Sequence, residues 1–107
     1  MSGGPDATGA GPAADASPMA LRRSVRITNS RGLHARAAAK LVSVAERFSS
    51  SVNVTRDGET VPANSIMGLM MLGAGVGSEI TIEADGWDAK EALEAVAGLV
   101  EAGFHED

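Results

Sequence analysis

Alternating apolar and polar positions predict four short strands in this chain. A period of two directs one side chain to the core and the next to water. The segment 79–84 is the clearest, because Ile80, Ile82 and Ala84 alternate with polar residues. The other predicted strands are Ser24 to Thr28, a strand around Val52 and Val54, and Glu59 to Ala63.

Apolar residues spaced three and four positions apart predict three helices. In the first, Ala37, Leu41 and Ala45 lie on one face, whereas Arg36 and Lys40 mark the other. Each helix thus has one apolar stripe to bury. The predicted helices run from about His34 to about Phe48, from Ser65 to about Leu72, and from about Trp87 to Phe104.

Two turn signals complete the predicted architecture. Asp57-Gly58 is a two-residue hairpin sequence, because both positions tolerate positive φ. Pro62 cannot donate a hydrogen bond to a neighbouring strand, so we expect the third strand at the sheet edge. The order β-α-β-β-α-β-α predicts an α+β fold. We expect an open-faced β-sandwich, in which three helices cover one face of a four-stranded antiparallel sheet.

Length and composition indicate a single domain. The chain has 107 residues, 44% of them hydrophobic, which is enough for one modest core. Residues 1–20 are rich in Ala, Gly, Pro and Ser without any period, so we expect a disordered tail before a domain at residues 21–107. The chain has no cysteine and only two histidines, which argues against disulfides and metal sites. It also lacks a signal peptide and any apolar run near the ~20 residues of a membrane span, so we expect a cytoplasmic protein.

The charges are segregated along the sequence. Between residues 22 and 56 they are basic except for Glu46, whereas from 79 to 107 they are acidic except for Lys90. The net charge of −5 argues against general nucleic-acid binding. If the two segments form different faces, the molecule is electrically polar, and its basic side attracts an acidic, phosphate-bearing partner. His105 is expected in a frayed acidic terminus.

His34 is the candidate reactive residue, because it lies where a turn gives way to the first helix. Gly32 permits a tight turn or a close approach to a ligand. The first N–H groups of a helix have no partner within it, and the helix dipole adds positive potential, so a helix start is a ready anion site. Arg36 adds a planar cation suited to phosphate oxygens. A histidine here can accept a phosphoryl group as a nucleophile; the alternative is a histidine that merely lies at the helix start.

Two segments of the chain resemble HPr, the histidine-containing phosphocarrier family of the bacterial phosphoenolpyruvate-dependent phosphotransferase system. They are Gly32-Leu33-His34-Ala35-Arg36 and Asn64-Ser65-Ile66-Met67-Gly68-Leu69-Met70, at the separation and in the element order of that family. The resemblance covers about residues 24–104. It differs at Ala37, where the family has proline, and at Arg31, where small polar residues are usual.

The resemblance implies a relay function rather than a stand-alone enzyme. Enzyme I, phosphorylated from phosphoenolpyruvate, would pass its phosphoryl group to Nδ1 of His34, which would pass it to an EIIA-type protein. Arg36 and the free amides of Ala35, Arg36 and Ala37 would hold the phosphoryl oxygens, with no cofactor. Alanine at position 37 restores an N–H but constrains the turn less than proline, so we expect transfer to survive.

The second segment combines a regulatory candidate with a docking surface. Ser65 is expected to cap the short helix, and the resemblance adds its phosphorylation by an HPr kinase/phosphorylase. Leu69 and Leu72 suit the core. Ile66, Met67 and Met70 are expected to remain outside as an adaptable partner surface, the alternative being that all are buried. Trp87 is expected to pack at a helix start.

Two other functions compete with the phosphocarrier interpretation. One is a regulatory binding module on the HPr fold, controlled through Ser65 with little phosphotransfer, which the alanine at position 37 favours. The other is a nucleic-acid-binding domain, which the lack of aromatic residues in the strands disfavours. Whether the carrier serves sugar uptake or the nitrogen-related branch stays open. We expect a monomer.

Overall fold

The computed structural model describes residues 20–106, so most of the predicted tail lies outside the described residues. Seven helices and strands follow one another in the predicted order. They are β1 Ala20–Arg26, α1 Ala35–Ala45, β2 Ser51–Arg56, β3 Glu59–Pro62, α2 Ile66–Met71, β4 Glu79–Asp85 and α3 Ala89–Glu101, and a 3₁₀ turn, Gly103–His105, follows α3.

The four strands form one antiparallel sheet in the order β1-β4-β2-β3. Asp57 and Gly58 join β2 to β3 with φ angles of 51° and 83°, the left-handed conformations of a tight hairpin. The strand β3 lies at one edge of the sheet, where a proline such as Pro62 is tolerated because one side of the strand has no neighbour. The predicted α+β open-faced sandwich, its hairpin and its edge strand are confirmed.

One face of the sheet carries the core, and the other is polar. Alternate strand residues such as Val54, Ile80 and Ile82 are almost completely buried and pack with the apolar stripes of the helices. On the open face, hydroxyl groups pair between strands, as Ser24 does with Thr81 at 3.2 Å. None of the helices in residues 20–106 is long and apolar enough to cross a membrane.

Several predicted boundaries are wrong by a few residues. β1 begins at Ala20 rather than Ser24, because pairing with β4 extends to Asp85. α1 ends at Ala45, and α3 begins only at Ala89 and ends at Glu101. Trp87 precedes α3 and is 77% exposed, so it does not pack as expected.

The sheet does not place the basic and the acidic segments on different faces, which was the condition for an electrically polar molecule. β1 is basic and β4 is acidic, and the two strands are neighbours in the sheet. As a result Arg22 of β1 pairs with Glu83 of β4 at 3.0 Å. Arg23 pairs with a different acidic residue, Glu101 of α3, at 2.8 Å. The basic and acidic segments therefore neutralise each other over this part of the molecule.

Candidate active site at the start of the first helix

The turn before α1 has room only for glycine at position 32. Gly32 has a φ of 66°, and a Cβ built on it would lie 2.5 Å from the Ala74 oxygen and 2.7 Å from the Cα of Gly75. The neighbouring amide of Leu33 donates to that same Ala74 oxygen at 2.9 Å. The loop after α2 therefore packs directly against the turn that carries His34.

His34 is the N-cap of α1. Its backbone is extended, with φ −76° and ψ 178°, and its carbonyl accepts from the Ala38 amide at 2.8 Å. Its side chain makes no capping hydrogen bond. In the described part of the chain, the amides of Ala35, Arg36 and Ala37 donate no hydrogen bond, as expected for the first turn of a helix. Three free donors and the positive end of α1 thus lie beside the imidazole.

The C-terminal end of the described chain reaches this site, contrary to the prediction of a frayed terminus. Nε2 of His34 lies 2.6 Å from Oε2 of Glu106. The other carboxylate oxygen accepts from Nδ2 of Asn29 at 3.0 Å. Asn29 is 3% exposed, and the same nitrogen donates to the Gly32 carbonyl at 2.8 Å. Glu106 and Asn29 thereby join the end of the described chain to the turn that carries His34.

Two contacts hold the C-terminal segment in place. Phe104 is completely buried in the core, at a φ of 56° in the 3₁₀ turn. Lys40 of α1 donates from Nζ to the Phe104 carbonyl at 2.7 Å. The buried ring and this hydrogen bond fix the position from which Glu106 extends to His34.

The Glu106 carboxylate stays ionised more readily than an ordinary one. Partial burial raises the pKa of Glu106, but the hydrogen bonds from His34 and Asn29, together with the charges of His34 and Lys40, outweigh it and hold the pKa below its usual value. The group beside the imidazole is therefore a negatively charged acceptor at neutral pH.

Two depressions lie at the site. One is a polar basin of about 420 Å³, which reaches the Glu106 carboxylate that contacts His34. Its lining residues are Ser30, Arg31, Arg36, Lys40, His105 and Glu106. The other is a smaller depression of about 260 Å³, whose lining includes His34, Arg31 and Met70. Arg36 and Arg31 thus line a region suited to an anion, and Met70 lies at the edge of the same site.

The short helix α2 presents an exposed apolar surface. Ile66, Met67 and Met70 are 40%, 71% and 42% exposed, as predicted, whereas Leu69 and Leu72 are buried. Met71 and Val76, which the sequence interpretation left out, are exposed as well, at 76% and 61%.

Ser65 caps α2 at its N-terminus, as predicted. Its Oγ accepts from the Gly68 amide at 2.9 Å. Because α2 begins at the next residue, Ile66, the hydroxyl lies directly beside the exposed apolar surface.

Asn29, Lys40 and Glu106 are the site residues that sequence reasoning missed. Asn29 stands in a run typical of turns, and Lys40 was assigned only to the polar face of α1. Glu106 is 77 positions from Asn29 and 72 from His34. The one available signal was Phe104, because a large apolar residue near the terminus indicates that the chain is still anchored there.

Known phosphocarrier proteins are similar to this chain over most of its length. The family model described as "PTS HPr component phosphorylation site" matches residues 21–102. A "Phosphocarrier protein HPr" of Cupriavidus necator is 50% identical over 86 residues, 80% of this chain and 97% of that one. A "Phosphocarrier protein NPr" of Shewanella violacea is 43% identical, over 80% of this chain and 94% of its own. The crystal structure of an HPr from Thermoanaerobacter tengcongensis superimposes with a TM-score of 0.78 at 41% identity, covering 81% of this chain and 98% of the other.

Proposed function

This chain belongs to the HPr family of phosphotransferase-system phosphocarriers, and we propose that it accepts a phosphoryl group on His34 from phospho-Enzyme I and passes it to an EIIA-type protein. One observation carries the proposal. His34 lies at the start of α1 beside the free amides of Ala35, Arg36 and Ala37, and it shares a depression with Arg31, which together with Arg36 also lines the neighbouring polar basin. A nucleophile therefore stands next to donors suited to the oxygens of a phosphoryl group.

The proposed reaction uses His34 first as nucleophile and then as leaving group. The lone pair of Nδ1 attacks phosphorus, and the bond between phosphorus and the donor histidine of Enzyme I breaks. The amides of Ala35, Arg36 and Ala37 and the guanidinium of Arg36 stabilise the negative charge on the oxygens. In the onward step the new phosphorus–nitrogen bond breaks in favour of the acceptor.

The test is phosphorylation of the purified chain by Enzyme I and phosphoenolpyruvate, followed by intact mass and acid lability. We expect the gain of one acid-labile phosphoryl group. His34→Ala should abolish the gain, whereas His105→Ala, which removes the second histidine from the lining of the basin, should still gain one acid-labile phosphoryl group. Absence of phosphorylation in the wild type, or its persistence in His34→Ala, would contradict the carrier function.

The apolar surface of α2 is the proposed docking surface for Enzyme I and EIIA-type partners. Its exposure and its proximity to the His34 depression through Met70 support this assignment. We expect Met67→Glu to weaken binding of an EIIA-type protein by about tenfold or more, measured by titration calorimetry. Trp87→Ala is the control, because Trp87 is equally exposed but lies before α3. Equal effects of both substitutions would contradict the assignment.

A second function, regulation through Ser65, is favoured by the position of its hydroxyl beside that docking surface. Phosphorylation by an HPr kinase/phosphorylase would add negative charge at a helix N-terminus, which tolerates it, so the fold should stay intact while partner docking weakens. Ser65→Asp should therefore reduce EIIA binding and leave the circular dichroism spectrum unchanged. Ser65→Ala, which removes the cap alone, separates the two roles. In the strict regulatory alternative His34→Ala retains full biological activity.

We place the protein in the cytoplasm as a monomer, since its expected phosphoryl donor and acceptors act there and no function above requires a second copy. Relatives of similar structure include an HPr dimer from Thermoanaerobacter tengcongensis. Light scattering after size exclusion tests the monomer directly. Charging of purified sugar-specific and nitrogen-related EIIA-type proteins by the phosphorylated chain would assign the branch.

A further inference from the structure

We propose that Glu106 is a positioning residue of the site, which keeps the imidazole proton of His34 on Nε2 and thereby presents Nδ1 to the phosphoryl group. This inference rests on the proposed phosphotransfer at His34 and deepens it. It adds a residue from the C-terminal end of the chain, outside both sequence segments that resemble the family.

The contact between Glu106 and His34 fixes the tautomer. The distance of 2.6 Å between Nε2 and Oε2 is that of a short, charge-assisted hydrogen bond. An ionised carboxylate only accepts, so the hydrogen of this bond lies on Nε2. A neutral imidazole carries one N–H, and Nδ1 is therefore left with the lone pair. With both side chains only 16% and 17% exposed, water competes weakly for the bond.

The carboxylate is itself held in one orientation. Nδ2 of Asn29 donates to its second oxygen at 3.0 Å and to the Gly32 carbonyl at 2.8 Å. Asn29 thus ties Glu106 to the same turn that carries His34. Because Asn29 already holds the Glu106 carboxylate, little conformational entropy is lost when the carboxylate orients the imidazole of His34. Carboxylates that accept from a histidine N–H orient the ring in the same way at other histidine sites.

The negative charge of Glu106 is also suited to the positive charge that the His34 ring gains in the proposed reaction. When Nδ1 takes the phosphoryl group, the phosphorus–nitrogen bond forms, the bond to the donor breaks, and the ring keeps its Nε2 proton and gains positive charge. The carboxylate of Glu106 neutralises that charge at the opposite side of the ring. In the onward transfer the electron pair of the phosphorus–nitrogen bond returns to Nδ1, and no proton has to leave Nε2.

Glu106→Gln tests the proposal in the full-length protein. Glutamine has almost the same shape, but its terminal amide has one acceptor oxygen and one NH2 group, so it cannot present an acceptor oxygen to His34 and another to Asn29 as the carboxylate does. Long-range ¹H–¹⁵N correlation spectra read the tautomer of His34, and rapid-quench assays with Enzyme I and phosphoenolpyruvate read the rate of phosphorylation. Glu101→Gln is the matched control, because that carboxylate pairs with Arg23. Glu106→Asp retains the charge and should rescue part of the effect.

We expect a single Nε2–H tautomer in the wild type and a substantial Nδ1–H population in Glu106→Gln. The phosphorylation rate of the variant should fall about ten- to hundredfold, the cost of one hydrogen bond to a charged group. An Nδ1–H tautomer in the wild type, or a Glu106→Gln protein with unchanged tautomer and rate, would overturn the proposal. The tautomer is read without phosphotransfer, so a wild type that takes no phosphoryl group refutes the carrier function separately.

Discussion

Asp88 and Glu106 lie just beyond opposite ends of α3, and each accepts hydrogen bonds from a distant part of the chain. Asp88 accepts from the Ser49 amide at 2.8 Å, from the Ser50 amide at 2.9 Å and from the Ser50 hydroxyl. Glu106 accepts from Asn29 and His34. Both carboxylates have a pKa below the usual value. For Asp88 the hydrogen bond from the Ser50 hydroxyl is the main cause. Burial raises the pKa of Asp88, and the amides of Ser49 and Ser50 lower it further.

The donors distinguish the two carboxylates. Those of Asp88 are backbone amides and a hydroxyl, and Asp88 is only 7% exposed, so its hydrogen bonds anchor the segment before β2 to the start of α3. One donor of Glu106 is the imidazole of His34, which lines a depression at the surface. The same kind of interaction therefore links two structural segments at Asp88, whereas at Glu106 it holds the proposed phosphoryl acceptor.

The largest expected effect is that of Gly32→Ala at the reactive end. The substitution combines a left-handed φ of 66° with a Cβ 2.5 Å from the Ala74 oxygen. We expect a loss of about 2–4 kcal/mol in the free energy of unfolding, measured by urea denaturation, together with slow phosphorylation. Gly58→Ala is the control, because its φ is 83° but no atom lies within 4 Å of the added Cβ. Equal losses in both variants would mean that the contact with Ala74 contributes nothing.

Asp88→Asn is expected to have the next largest effect, confined to stability. The asparagine side chain places an NH2 group where Asp88 has an acceptor oxygen. Some of the Ser49 and Ser50 donors that now bind Asp88 then lose their acceptor at a buried position. The urea midpoint should fall by about 1 M or more, while the folded fraction is phosphorylated at the wild-type rate. The exposed Glu94→Gln on α3 serves as the control for a lost charge. A slowed phosphorylation in folded Asp88→Asn would erase the distinction between the two carboxylates.

The pH dependence of stability should show both carboxylates. Because the folded pKa is lowered in each, the contribution to stability is fully present above the unfolded pKa of about 4 and is lost as pH falls through the lower folded value. The stability difference between wild type and Asp88→Asn should therefore shrink from pH 7 toward acid, and likewise for Glu106→Gln. Urea denaturation at a series of pH values between 7 and the acid range measures this difference. A stability difference that does not change with pH would contradict the lowered pKa of the two carboxylates.

Most of the fold was predictable because local signals agree with the tertiary structure. The alternation in β4, the Asp57-Gly58 hairpin and the cap at Ser65 each depend on residues a few positions apart. The position of His34 at the start of α1 follows from the same short-range reasoning.

The errors concern contacts between distant segments. The acidic β4 lies beside the basic β1, an arrangement that the pattern of either strand alone does not reveal. The link from Glu106 to His34 depends on the burial of Phe104 and on a turn with Gly103 at a φ of 64°. No periodic pattern in the sequence indicates the contact between Glu106 and His34 or the position of Asn29 beside them.

Ala37→Pro is expected to have the smallest effect, and it separates the two contributions to the active site. Ala37 is completely buried in the first turn of α1, and its free amide is one of the three at the helix start. Proline removes that donor but leaves the Asn29, Glu106 and His34 contacts untouched. We expect a gain of about 0.4–1 kcal/mol in unfolding free energy, an unchanged His34 tautomer and a phosphorylation rate within about threefold of wild type. Ala38→Pro is the control, because it breaks the 2.8 Å bond to the His34 carbonyl and should destabilise α1. A large loss of rate in Ala37→Pro with the tautomer intact would mean that the amides, and not the arrangement around Glu106, limit transfer.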